Sequence, residues 1–217
     1  MDIEISREIG KSRRLKPVGL AETAPAERPC SPVVSHLWVL DLKQEITSAV
    51  TSINATKLPA LFKKVKWLPG TRNADIGAGR FTNVSDFLSK AGVDNFRFDP
   101  FNMQMEENLE TIKHIHGGQC HTATVTNTLN VIQCPIARAT IILLAHDALR
   151  AGGTLFVQIH EGDKSGLGRI SQKAKDGRPL AWQENRRTRD YLREIDPLFN
   201  MIAVKENIII ATKRSFS

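Results

Sequence analysis

Cysteine is scarce in this chain. Only Cys30, Cys120 and Cys134 occur in 217 residues, widely spaced and without a C-x-x-C pair. That pattern excludes an even disulfide framework and zinc sites built on paired cysteines, so no metal is expected and a reducing cytoplasm fits best. Long apolar runs are missing too. No stretch approaches the roughly eighteen residues of a membrane span, and the opening MDIEISREIGKSRRLKP has no apolar core behind its charges, so it reads as no secretory signal. Aromatics make up 6%, with a single tyrosine, Tyr191, which reads as helix packing. Acids are outnumbered: 23 Asp and Glu stand against 30 Lys and Arg, a formal charge of +7. That balance favours an anionic partner, although charge at this level also serves solubility. The rest is ordinary globular usage, 41% apolar and 24% charged, and is long enough for one domain with a sizeable core.

Three regions follow from the patterning. Residues 1–34 carry charges, Pro and Ser but no long apolar period, and read as a tail: a solvated one, or a basic arm touching nucleic acid. Residues 35–72 read as an N-terminal helical cap. One amphipathic helix is expected over 35–56, Lys57-Leu58-Pro59 interrupts, and a short helix follows over Ala60–Val65. This cap holds the sharpest charge asymmetry: Lys57, Lys63, Lys64, Lys66 and Arg72 with no acid between them. Residues 73–217 read as one domain in which strands (NADIGAG, NFRFDPF, HTATVTNTL, TLFVQIHE) alternate with helices. The helix PIARATIILLAHDALRAGG carries Pro135 at its start and glycines at its end. Alternation implies a mostly parallel sheet. The last two strands, NMIAVKE and NIIIATKR, are too close for a crossover, so they close the sheet as an antiparallel hairpin. The expected architecture is therefore an α/β three-layer sandwich.

The sequence Asp75-Ile76-Gly77-Ala78-Gly79-Arg80-Phe81 falls where the first strand gives way to the first helix. Glycines let the backbone turn sharply there and let a ligand approach the helix start. Asp99 comes twenty residues after Gly79, at the end of the second strand. A carboxylate there can accept both hydroxyls of a ribose; as a turn residue before Pro100 it would do nothing of the kind. The dinucleotide pattern G-x-G-x-x-G requires a third glycine where Thr82 stands. Asp75 suits a cationic ligand better than a pyrophosphate. Adenosylmethionine carries an ammonium and a sulfonium and no phosphate.

DIGAGRF, then FDPFN, then TVTNTLNVI, then LRAGGTLFV resembles the class I S-adenosylmethionine-dependent methyltransferases, over about residues 70–214. More loosely, the run is similar to methyltransferases of bacteriophages and prophages. The resemblance implies a Rossmann-like sheet and S-adenosylmethionine as cofactor. It implies that Asp75, Gly77, Gly79 and Arg80 form the first motif, cradling the amino-acid part. Asp99 would meet the ribose, and Pro100 and Phe101 the adenine. Asn127, Thr128 and Leu129 would occupy the loop under the sulfonium. Two departures stand out. Phe81 replaces a glycine common in the family. Only about twenty residues separate Asp99 from Thr124, so the sheet is expected to lack one edge strand or to form it poorly.

Methyl transfer needs mainly positioning of the acceptor, and a base only where the acceptor starts protonated. The carboxyl ends of the third and fourth strands offer Asn127, His160, Glu161 and Asp163 as catalytic candidates, with Asn130 nearby. Strand alternation would point either His160 or Glu161 into the cleft. The motif that marks methylation of exocyclic amino groups is replaced by TNTL, and Cys134 reads as an inert helix-start residue. Gly162–Asn185 reads as a loop, long enough for a substrate lid. Between Gly162 and Arg189 eight basic residues face three acids. With the cap lysines this gives a basic rim (Lys57, Lys63, Lys64, Lys66, Lys173, Lys175, Arg186, Arg187) suited to a nucleic-acid backbone. Trp182 could stack on a base or anchor the loop. Ser52, Asn54 and Lys57 could meet the cofactor carboxylate. Two other functions stay open: a non-catalytic binding module, and an NAD-dependent oxidoreductase, against which Thr82 and the terminal hairpin argue.

Overall fold

A computed structural model describes residues 46–51 and 57–214. The tail over 1–34, most of the helix expected over 35–56, and Ser52 and Asn54 lie outside these residues. Where 46–51 can be followed, it is no α-helix. It runs irregularly into a short 3-10 turn over Ala49–Thr51, with Ser48 in the left-handed region at φ 55°.

Eight strands and five helices follow. They are α1 (Ala60–Lys64), β1 (Arg72–Ile76), α2 (Asn83–Lys90), β2 (Asp94–Phe98), α3 (Met105–Ile115), β3 (Cys120–Thr126), α4 (Pro135–Ala148) and β4 (Leu149–Gln158), then β5 (Gly168–Lys173), β6 (Pro179–Glu184), α5 (Leu192–Ile195), β7 (Phe199–Lys205) and β8 (Ile208–Lys213). Six strands form one sheet in the order β2-β1-β3-β4-β8-β7. The first four run parallel; β8 is antiparallel to β4 and β7 to β8. This is the mixed three-layer sheet expected from the sequence, with the terminal hairpin in place. Among the described residues nothing pairs outside β2, so the sheet does lack an edge strand.

Each strand face has its own chemistry. Ala74, Ile76, Ala123, Val125, Leu155 and Val157 join Ile112 and Ile115 of α3 and the apolar side of α4 in the main core. A smaller cluster gathers Phe62, Val84, Leu88 and Val93 around α1 and α2. Parallel strands buried on both sides usually read as unbroken apolar runs. Here alternate residues of β1 and β3 are polar and bonded to one another. Asn73 Nδ2 donates to Asn95 Oδ1 at 2.8 Å and to Thr124 Oγ1 at 3.0 Å, and the Thr124 hydroxyl donates to Asp75 Oδ1 at 3.0 Å. Burial of such groups is tolerable only because they satisfy each other.

Several boundaries differ from the sequence reading. The helix after the glycine turn, α2, begins at Asn83 rather than at Phe81, so the turn is longer by Phe81 and Thr82. α4 stops at Ala148, and β4 starts at once with Leu149. The stretch read as a loop over Gly162–Asn185 holds a two-stranded antiparallel ribbon, β5 with β6. Its residues make no core of their own, so no apolar period marked it. No helix among the described residues is long and apolar enough to cross a membrane.

Candidate functional site

A cleft with about 150 Å³ of space opens at the carboxyl ends of β1 and β3, where the strand order reverses around β1. One wall is the turn Gly77-Ala78-Gly79. Gly77 and Gly79 have φ of 78° and 71°, the left-handed region that side chains rarely adopt. Gly77 has a second constraint: a Cβ there would lie 2.3 Å from Thr128 Oγ1. Backbone N–H groups of Gly77 and Ala78 bond the Phe98 carbonyl, which ties the turn to β2.

The second wall is Asp99-Pro100-Phe101-Asn102. The Asp99 carboxylate is buried and fully engaged. Its Oδ2 accepts from Gly79 N–H at 2.9 Å and Asn102 Nδ2 at 3.1 Å. Its Oδ1 accepts from the Phe101 and Asn102 N–H groups, both at 3.0 Å. Behind it, Asn108 of α3 accepts from Asp99 N–H at 2.8 Å and donates to the Asp99 carbonyl at 3.1 Å. Asp99 is thus both the turn residue and the acid beside the glycines.

The floor is Thr126-Asn127-Thr128. Asn127 sits at φ 53°, a conformation asparagine tolerates better than most residues. Asn127 Oδ1 and Thr126 Oγ1 are buried with no hydrogen-bond partner. Unsatisfied buried acceptors are uncommon and call for a donor. Asp75 also reaches the cleft. Burial pushes its pKa up to about 6, against the pull of the Thr124 and Asn95 hydrogen bonds and of Arg97. The native state therefore keeps a proton on Asp75 that the unfolded chain gives up near pH 4, so this group lowers stability as pH rises from about 4 to about 6. Asp75→Asn is expected to remove that slope; denaturant midpoints at pH 4.5 and 7.5 check it.

The sequence candidates divide clearly. Asp75, Gly77, Gly79, Asp99, Pro100, Phe101, Asn127 and Thr128 come together around the cleft. Leu129 is fully buried in the main core, and Arg80 is exposed and donates to the Ala49 carbonyl at 3.0 Å; neither lines it. His160, Glu161 and Asp163 do not line it either. β4 ends at Gln158, so strand alternation no longer governs these three. His160 and Asp163 are exposed. Glu161 is a clamp: burial opposes its charge, yet Lys164 and the Thr188 N–H, bonded at 2.8 Å and 2.7 Å, hold it down to about 2. Asn130 is buried and donates to Gln183 Oε1 at 3.3 Å. Cys134 caps α4 from the surface. Arg186, assigned above to the basic rim, is instead buried with Glu194, so its charge has no access to a ligand.

Sequence reasoning missed the residues that close the cleft from the N-terminal side. Thr47, Ser48 and Thr51 line it beside Lys57. Ser48 Oγ donates to the Val131 carbonyl at 3.2 Å and accepts from Trp182 N–H at 3.0 Å. Nothing in a lone serine ahead of the first strand signals such a long-range contact. Asn102 had a signal, since an amide three residues after an acid in a tight turn often bonds back.

No family model matches the sequence, and no curated protein matches it. Solved structures do. A SAM-dependent methyltransferase from Methanosarcina mazei superposes with a TM-score of 0.53 at 14% identity, covering 72% of this chain and 98% of that one. The 1,6-didemethyltoxoflavin-N1-methyltransferase of Burkholderia thailandensis, solved with bound 1,6-didemethyltoxoflavin and S-adenosylhomocysteine, gives 0.51 at 16%, covering 88% and 95%. A chain from Rhodobacter sphaeroides provisionally assigned to the Zn-dependent alcohol dehydrogenases gives 0.52 at 12%, covering 80% and 100%. The fold is that of the class I S-adenosylmethionine-dependent methyltransferases. At these identities the likeness speaks for architecture, and chemistry must be argued from the cleft.

Proposed function

We propose that the chain is a methyltransferase that binds S-adenosylmethionine in this cleft. The observation that carries the reading is the pair of buried carboxylates, Asp75 and Asp99, beside a glycine turn, with Lys57 the one basic residue among the described residues that line the cleft. Such a wall repels a pyrophosphate and suits a ligand with cationic centres. The unsatisfied oxygens of Asn127 and Thr126 fit the same ligand, since an ammonium donates to both. Asp99 would receive the ribose where Asn102 Nδ2 now bonds, and Phe101 would pack beside the adenine. Bound there, the cofactor supplies an electrophilic methyl group on a sulfonium.

The chain's own part is placement. The glycine turn fixes the cofactor's amino-acid end, Asn127 orients it, and the Thr47–Thr51 segment shields it from water. Because His160, Glu161 and Asp163 stand outside the cleft, no histidine or glutamate among the described residues lines it to strip a proton. The acceptor is therefore a group whose lone pair is already free. With the cofactor bound, that lone pair would form the new bond to carbon as the carbon–sulfur bond breaks, and the electron pair of that bond would stay on sulfur.

Calorimetry with S-adenosylmethionine, S-adenosylhomocysteine and NAD tests the reading. The first two are expected to bind and NAD not to. Affinity for S-adenosylmethionine is expected to fall about tenfold between pH 7.5 and 5, as Asp75 takes up its proton. Binding of NAD alone overturns the proposal.

A further inference from the structure

Among the described residues the β5–β6 ribbon pairs with no other strand. Every residue of β5 from Arg169 to Lys173 is exposed, so both of its faces meet solvent. Six residues per strand make it on the order of 20 Å long. β6 is the fixed strand: Ala181, near the tip, is fully buried, and none of the strand's six residues is exposed. Trp182 N–H bonds Ser48 Oγ at the cleft, and Gln183 bonds Asn130 at the end of β3. The Trp182 ring lies against Gly168, where a Cβ would meet Cζ2 at 1.9 Å, so the indole anchors the ribbon to itself. The tip over 175–178 is exposed.

Its charges are unbalanced. Asp163 lies 3.2 Å from Arg169, Asp176 3.9 Å from Arg178 and Glu184 3.7 Å from Arg186. All three acids of the segment are therefore taken. Among the described residues, Lys173, Lys175, Arg187 and Arg189 are left with no carboxylate, and all four are exposed. A second group lies at the other flank of the cleft. Leu61 N–H bonds the buried Gln158 Oε1 at 2.8 Å, which pins α1 to the carboxyl end of β4. Lys64 there pairs with Glu206, while Lys57, Lys63 and Lys66 are exposed and have no carboxylate partner among the described residues. Cations fixed at the cleft and continued along an exposed arm suit a long, evenly charged polyanion. Scattered acids on a protein surface would match only a few of them.

We infer that the β5–β6 ribbon and α1 hold the phosphate backbone of a nucleic acid, and that this nucleic acid is the acceptor presented to the cleft. The inference rests on the methyl-transfer reading above. β5 and the tip present Lys173 and Lys175 to a backbone, and each lysine that neutralises a phosphate releases a counterion. The transfer is the one already written, with a base nitrogen's free lone pair as the nucleophile.

The test uses the full chain, a fluorescein-labelled 20-base-pair DNA duplex and a single-stranded RNA of the same sequence, followed by anisotropy. With about four phosphates neutralised, affinity is expected to fall on the order of 100-fold between 50 and 200 mM KCl. The double variant Lys173→Ala, Lys175→Ala is expected to reduce the slope of log K against log salt by about 2. Its calorimetric affinity for S-adenosylmethionine should stay unchanged. Tritium from labelled cofactor should then appear in the nucleic acid. Binding without salt dependence, an unchanged slope in the variant, equal competition by polyglutamate, or label absent from nucleic acid while the cofactor still binds would each overturn the inference. Ribbon-dependent binding with no affinity for the cofactor overturns the methyl-transfer reading, and the acceptor role with it.

Discussion

Asp99→Asn is expected to weaken S-adenosylmethionine binding on the order of 100-fold and to destabilise the fold by about 3 kcal/mol. A carboxylate offers four acceptor positions, and all four are used, by Gly79, Phe101 and the backbone and side chain of Asn102. An amide keeps only one oxygen. With Oδ1 still serving Phe101 and Asn102, the new NH2 would face the Gly79 N–H and the Asn102 amide, donor against donor. Hydrogen bonds to a buried charge contribute about 1.5–3 kcal/mol each, and the orphaned Gly79 N–H adds its own desolvation cost. The affinity loss follows because Gly79 is part of the cleft wall. For a chain of this size the midpoint should drop by roughly 10 °C. Thermal denaturation and calorimetry on the same sample read both effects. Parental affinity in this variant would show that Asp99 does not shape the site.

A comparable loss is expected behind the cleft, where Arg138 donates to the carbonyl of the lining residue Ile132 at 2.8 Å. Glu194 accepts from Arg138 Nε at 2.7 Å and Arg138 Nη2 at 3.2 Å, and from Arg186 Nη2 at 2.7 Å. The Arg138 and Arg186 side chains are only 6% and 9% exposed, so Glu194→Ala leaves two cations in a medium that solvates them poorly. The Arg186 guanidinium also stacks over the Tyr191 ring at 4.1 Å, so the damage spreads from α4 to the segment after the ribbon. Removing one partner of such a buried set costs about 3–5 kcal/mol. Denaturant titration is expected to show a loss of about 4 kcal/mol. Replacing Glu194, Arg138 and Arg186 together with apolar residues of similar volume should recover most of it. A single Glu194→Ala variant as stable as the parent would mean that water reaches the arginines.

The contrast between these two sites shows what a sequence can carry. The glycine turn, the acid after the second strand and the closing hairpin are local patterns, and each has a mechanical reason to fall where it does. The missing edge strand was legible as well, because the chain between β2 and β3 has room for α3 and little more. The ribbon was not, since the exposed strand β5 carries no apolar period and β6 has only the short run Leu180-Ala181-Trp182. Arg186 and Glu161 looked like surface charges or catalytic groups because their partners, Glu194 and Thr188, come from elsewhere in the fold. Leu129 belonged by position to the cofactor loop, yet one turn of 3-10 helix over Leu129–Val131 swings it into the core.

Asn108 carries a consequence of that shortened sheet. Its carboxamide meets the N–H and C=O of Asp99 as the peptide group of a neighbouring strand would. One side chain thus serves as a one-residue surrogate for the strand that the fold has lost, and only an amide, donor and acceptor at once, can play the part. Farther along that edge the Thr111 hydroxyl donates to the Arg97 carbonyl at 2.6 Å, but among the described residues no side chain accepts from the outward N–H groups of β2. Those amide protons should exchange with solvent ahead of those of β1 and β3, with protection returning at Asp99, where the borrowed peptide begins.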